Sequence, residues 1–220
     1  QLIHCITNYV SINDCANIVL ACGGAPIMAE DINEVSQITS ICQGLDINIG
    51  MLNDNKLSSM LKAGATANEL GIPVILDPVG AGSSDYRIKA VQNLMSNVQF
   101  GVIRGNVSEI KAIAAKQGIH NIAAGVYETM QKDKSAMGVE AGIADKITDD
   151  NIKEMADFIN KLSQKTGAVI AVTGGIDMVA DENRVYAIRN GHKMMSLVTG
   201  AGCQLSALTS AYVCLLYTSP

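Results

Sequence analysis

The stretch LDINIGMLNDNKLSSMLKAGATANELGIPVILDP, residues 45–78, changes its hydrophobic period twice. Leu45, Ile47 and Ile49 alternate with Asp46 and Asn48, the two-residue period of a strand, and Gly50 closes it. From about Lys56 to Leu70 the apolar residues recur at helical spacing, with Gly71 as the C-terminal cap. Pro73-Val-Ile-Leu76 is a short apolar run, read as a buried strand that ends in Asp77-Pro78.

The same alternation extends both ways. Ile12 to Cys22 reads as a helix, and Ile32 to Cys42 as another with Ile32, Val35, Ile38 and Ile41 on one face. Tyr86 to Ser96 is helical, Gly101-Val-Ile103 a strand and Asn106 to Lys116 a helix. Strands and helices in turn, joined by short loops, predict an α/β fold: a mostly parallel sheet with helices on both faces. Residues 117–146 show no clear period. Beyond them Ile152, Met155, Ala156, Ile159 and Leu162 mark an amphipathic helix, and Ala168 to Val172 a strand. Val179-Ala180 and Arg184 to Ile188, joined through Asp181-Glu182-Asn183, predict a late antiparallel hairpin. No internal repeat interrupts this pattern, and 220 residues suit one α/β domain. Gln1 is not an initiator and Leu216 to Pro220 has no helix stop, so the expectation is a chain cut at both ends.

A net charge of −5 and a pI near 5.1 give no electrostatic reason to bind phosphate backbones or anionic lipid. With two Phe, six Tyr and no Trp, a base-stacking platform is a poor expectation, and so is nucleic acid as a partner. The late apolar stretch Ala211 to Tyr217 is far shorter than the ~20 residues of a membrane span. Cys5, Cys15, Cys22, Cys42, Cys203 and Cys214 form no CxxC pair and no metal-ligand spacing with His4, His120 or His192. Reduced cysteines in apolar packing, and hence a cytoplasmic setting, are expected.

Three constellations at element ends could carry chemistry. Thr199-Gly200-Ala201-Gly202-Cys203 precedes the last apolar helix. Its glycines allow backbone N–H groups to converge at a helix N-terminus, where the dipole favours negative charge, such as a transferring γ-phosphate. There the Cys203 thiol is expected to have a lowered pKa and to act as base or electrostatic guide; a tight turn with a buried cysteine is the plainer alternative. In Arg104-Gly105-Asn106-Val107-Ser108-Glu109, Arg104 ends a strand and is placed to meet phosphates bidentately. Glu109 could reach Mg²⁺ directly or through water, or else form a capping box with Asn106. In Asp77-Pro78-Val79-Gly80-Ala81-Gly82, Asp77 could hold a metal or merely start a turn. An arginine, two carboxylates and an N–H cradle are together what phosphoryl transfer requires, because that catalysis is positioning plus charge stabilisation.

These residues resemble the hydroxyethylthiazole kinase family of the ribokinase-like superfamily. The likeness runs through His4-Cys-Ile-Thr-Asn8, Gly23-Gly-Ala-Pro-Ile-Met28, Asn48-Ile-Gly50, Leu76-Asp-Pro-Val-Gly80, Ile103-Arg-Gly-Asn106 with Glu109, Val172-Thr-Gly174 and Val198-Thr-Gly-Ala-Gly-Cys203, with Gly138-Val-Glu-Ala-Gly142 between. Cys203 replaces the Asp that most ribokinase-like enzymes carry after the glycines. The resemblance implies a three-layer sandwich. It also implies ATP-dependent phosphorylation of the alcohol of 4-methyl-5-(2-hydroxyethyl)thiazole, with Mg²⁺, in thiamine biosynthesis and salvage. Met28 and Gly200 would then contact the thiazole. Arg104, Thr173 and Asn106 would bind ATP, with Asp77 and Glu109 around the metal. Ala201, Gly202 and Cys203 would form the anion hole, with Cys203 catalytic. A homotrimer is implied, a neighbour completing each pocket. Another small-alcohol kinase of the superfamily, or a silent ligand-binding relative, are the alternatives.

Overall fold

The computed structural model describes residues 1–118 and 146–218. Its elements are β1 Leu2–Ile6, α1 Ile12–Ala21, β2 Ala25–Ile27, α2 Val35–Ser40, β3 Gly44–Asn48, α3 Asp54–Glu69, β4 Val74–Asp77 and α4 Asp85–Asn97. There follow β5 Val102–Asn106, α5 Val107–Lys116, α6 Ile152–Thr166, β6 Val169–Thr173, β7 Asp177–Ala180, β8 Val185–Ile188, a 3-10 turn Lys193–Leu197 and α7 Ala201–Thr218. The eight strands are ordered β2-β1-β3-β4-β5-β6-β7-β8. The pairs β1–β2, β1–β3, β3–β4 and β5–β6 are parallel. β6–β7 and β7–β8 are antiparallel, so both the parallel sheet and the late hairpin agree with the sequence reading. The 138–142 string lies outside the described residues.

The chain divides into two compact units. The first gathers described residues of 1–77, 93–101 and 194–218, with β1 to β4, α1, α2, α3 and α7. All five residues of β3 are buried, Asp46 and Asn48 included. A Cβ at Gly44 would lie 2.9 Å from Ser210 Oγ of α7, so positions 44, 46 and 48 face that helix, and the pleat turns Leu45 and Ile47 the other way. α1 packs on α7, while α3, backed by α2, packs on β3 and β4. The alternation in β3 therefore separates two covered faces rather than a wet face from a dry one. Buried Asp46 shows its charge in its neighbours: with burial as the main cause, it helps push the Cys15 thiol up to about 12. α3 starts on Asn53, whose side chain accepts from Lys56 N, and ends before Gly71 at φ +68°.

The helix expected over 32–42 is shorter. α2 covers only Val35–Ser40, because Asp31 O accepts from both Glu34 N and Val35 N in a turn, which leaves Ile32 and Ile41 exposed. Val35 alone of the expected stripe is buried completely.

The second unit holds described residues of 78–92 and 102–193. α5 packs on β5 and β6, and α6 on β6 and β7, around Ile103, Ile110, Phe158, Ile159, Leu162 and Ile170. α6 ends on Gly167, in the left-handed conformation at φ +71°.

Candidate active site

In the first unit the chain runs from β1 to β2 on one side and to β3 on the other, so the strand order reverses at β1/β3. Ligands of open α/β sheets bind outside the carboxyl ends of strands at such a point. Asn8 follows β1 there, Asn48 ends β3 and Asp77 ends β4. Gly200 bends left-handed at φ +72° just before α7, and a Cβ on it would lie 2.7 Å from that of Ser11. Only glycine permits both this backbone and this approach. Ala201, Gly202 and Cys203 consequently form the first turn of an 18-residue helix, where N–H groups have no acceptor inside the helix.

Behind this turn lies a buried polar chain. Asn8 Nδ2 donates to Cys203 Sγ at 3.2 Å and to Asn48 Oδ1 at 3.1 Å. Asn48 Nδ2 donates to Asp77 Oδ2 at 2.8 Å, and Ser206 Oγ donates to the same oxygen at 2.9 Å. The structure thus joins Cys203 to Asp77, two of the candidate site residues, through two asparagines that lie in the family motifs but carry no role assigned from sequence. Their signal was present: Asn48 two residues before Gly50 is the side-chain turn that Gly50 N closes on Asn48 Oδ1 at 2.9 Å.

The expected lowering of the Cys203 pKa is not what the structure gives. Burial raises it above the ordinary thiol value, Asp77's charge raises it further, and hydrogen bonds from Ser11, Asn48 and Asn8 only partly offset this. Desolvation and a nearby carboxylate outweigh the helix dipole.

Met28 is half-buried just after β2. Its segment is held at the next two residues. His4 Nε2 donates to Ala29 O at 2.8 Å, and Glu30 pairs with Lys56 Nζ at 2.7 Å. Lys56, buried, also donates to Thr7 O and stands 4.8 Å above the Tyr9 ring, whose hydroxyl donates to Glu30. The sequence assigns no role to His4, though it heads a family motif, or to Lys56, since nothing local reveals partners 25 and 26 residues away.

In the second unit Arg104, buried, donates from Nη2 to Thr173 Oγ1 at 2.6 Å, which brings two of the expected nucleotide contacts together. The register explains it, for Asn106 lies opposite Thr173 on parallel β5 and β6. Asn106 and Glu109 form the capping box: Asn106 Oδ1 accepts from Glu109 N at 2.9 Å and Glu109 Oε2 from Asn106 N at 2.8 Å. Glu109 Oε1 accepts from Gly80 N at 2.8 Å, so the same carboxylate fixes the turn after β4, which Arg87 Nη1 braces at Val79 O. Among the described residues no group of three His, Cys, Asp or Glu side chains could hold a metal ion. Asp77 and Glu109 are each buried, and each is a hard oxygen donor of the kind that suits a cation that keeps most of its waters.

Residues 1–219 match the model of the hydroxyethylthiazole kinase family. A hydroxyethylthiazole kinase from Clostridium acetobutylicum is 53% identical over 219 residues, covering 100% of this chain and 74% of that one. One from Desulfovibrio desulfuricans is 46% identical over 207 residues, covering 94% and 67%. The solved hydroxyethylthiazole kinase protein of Pyrococcus horikoshii superposes with a TM-score of 0.80 at 33% identity, over 97% of this chain and 71% of that one. A ribokinase-like superfamily protein from Enterococcus faecalis, at 9% identity and TM-score 0.62 over 97% of this chain and 70% of its own, shares the fold alone. Arg104 lies in the middle of β5, not at its end as the sequence suggested. By the family match over residues 1–219 and the 53% identity to the Clostridium acetobutylicum relative, the chain belongs to the hydroxyethylthiazole kinase family.

Proposed function

We propose that this chain transfers the γ-phosphoryl group of ATP to the hydroxyethyl oxygen of 4-methyl-5-(2-hydroxyethyl)thiazole, a step of thiamine biosynthesis and salvage. The observation that carries the reading is the bend at Gly200, which opens α7 with Cys203 in its first turn. The N–H groups of Ala201, Gly202 and Cys203 receive the γ-phosphoryl oxygens, and the helix dipole favours the charge that collects there. Arg104 and Thr173 bind the nucleotide phosphates, with Asn106 beside them. Asp77 and Glu109 would hold Mg²⁺, which when bound would offset charge on the transferring phosphates. Met28 and Gly200 contact the thiazole.

Cys203 stands by the attacking hydroxyl. Its raised pKa keeps it a thiol at neutral pH, so its role is to orient that hydroxyl more than to remove the proton. A loose transition state needs little early deprotonation, which makes this sufficient. The protein acts in the cytoplasm, a setting that suits six free cysteines. It works as a homotrimer in which a neighbouring copy completes each pocket. Exposed Tyr9 and Val10 before Ser11, and Met194, Met195, Leu197 and Val198 before Gly200, support such a cover, with Leu197 81% exposed.

Incubation with hydroxyethylthiazole and ATP, with and without Mg²⁺, tests this by product mass. The expected product is the thiazole monophosphate, formed only with Mg²⁺ and faster than from a pyrimidine alcohol. Preference for another alcohol would make the chain a different small-alcohol kinase, and tight binding without turnover would make it a silent binder.

A further inference from the structure

We infer that Asn8 is a positioning residue for Cys203, aimed by Asp77 through Asn48. The Asp77 carboxylate only accepts hydrogen bonds. Asn48 must therefore turn Nδ2 toward Asp77 Oδ2, 2.8 Å away, and this leaves its Oδ1 for Gly50 N and Asn8 Nδ2. Reversing the amide would set oxygen against carboxylate and strand the Gly50 N–H. Asn8 is then fixed in turn. Its two N–H bonds go to Asn48 Oδ1 and Cys203 Sγ, while its Oδ1 accepts from Ser11 N and Ser11 Oγ, both at 3.1 Å. That uses the full capacity of a primary amide, two donors and two acceptor sites. A half-turn of Asn8 would oppose two amide oxygens and remove the donor from the sulfur.

Asn8, Ser11, Asn48 and Asp77 are all buried, so none of these choices is left to water. Space is fixed as well as polarity. A Cβ at Gly50 would lie 2.8 Å from Asn8 Nδ2 and 2.9 Å from Asn48 Oδ1. The network thus fixes the direction from which the Asn8 N–H meets the sulfur, beside the contacts from Ser11 and Asn48, and so holds the side chain that stands at the first turn of α7.

The inference rests on the proposed phosphoryl transfer, so the unsubstituted chain is assayed beside every variant: no turnover there fails that reading and not this one. Asn8→Asp keeps the shape and replaces the donor with an acceptor. The expected result is a kcat lower by about a hundredfold, as for a misplaced reacting group, with KM for alcohol and for ATP changed less than about threefold. In a Cys203→Ala background, where there is no sulfur to aim, Asn8→Asp lowers kcat less than about threefold. Asn8→Ala and Gly50→Ala repeat the cycle, with thermal midpoints as the check on folding. Equal losses with and without the sulfur, a loss confined to KM, full activity of Asn8→Asp, or failure of all three variants to fold would each overturn the inference and leave Asn8 a structural residue.

Discussion

His4 is buried between a carbonyl and a hydroxyl. Its Nε2 faces Ala29 O and must carry a proton; Nδ1 faces Thr39 Oγ1 at 2.9 Å, a hydroxyl that itself donates to Val35 O at 2.7 Å. Burial lowers its pKa below the ordinary 6.5, and the bond to Ala29 only partly restores it. The unfolded chain therefore takes up this proton at a higher pH than the folded one. The contribution is fully present above about pH 6.5 and is lost as pH falls through the folded value. Urea unfolding between pH 7.5 and 5 should show stability declining below about 6.5, and His4→Gln should flatten that part of the slope. An unchanged slope would contradict the assignment. At this scale the sequence was informative for motifs and silent about partners. Cys203, Arg104 and Glu109 stood out by position. The direction of the Cys203 shift did not, because it depends on Asp77, which folding brings near from 126 positions earlier.

Helix ends were legible where one residue does one local job. Gly71 and the Asn106–Glu109 box follow directly from capping chemistry. α2 was misread because a stripe at helical spacing says nothing of the Asp31 turn that delays its start. Glycines inside helices pose the converse question. Gly64 lies within α3, where alanine would favour the helix by about 1 kcal/mol. A Cβ there would however meet the Val98 γ-carbons at 2.5 and 2.8 Å. Valine is stiff, and overpacking of this kind costs about 1–3 kcal/mol. Gly64→Ala should thus destabilise the protein by up to about 2 kcal/mol in denaturant unfolding. A Val98→Ala background should remove most of that penalty; a persistent one would place the strain elsewhere.

For the whole molecule, strand–helix alternation sufficed to read a parallel sheet and its closing hairpin. β1 and β2 went unread. LIHCI is buried on both faces and offers no period, and API is an edge strand of three residues. Assembly leaves a weaker mark on sequence still, since exposed Met194, Met195 and Leu197 look like any loop until burial is known. Light scattering should give three times the chain mass if a neighbour covers them, and replacing Leu197 with Asp should lower it. A monomer with full activity would contradict the trimer. The central claim is that phosphoryl transfer takes place at the first turn of α7, beside Cys203. Its most direct test is kcat for thiazole phosphorylation by Cys203→Ala and Cys203→Asp beside the unsubstituted chain. A loss of about 10²-fold or more in the alanine variant, with substantial activity kept by aspartate, is the predicted result; a fully active alanine variant would contradict it.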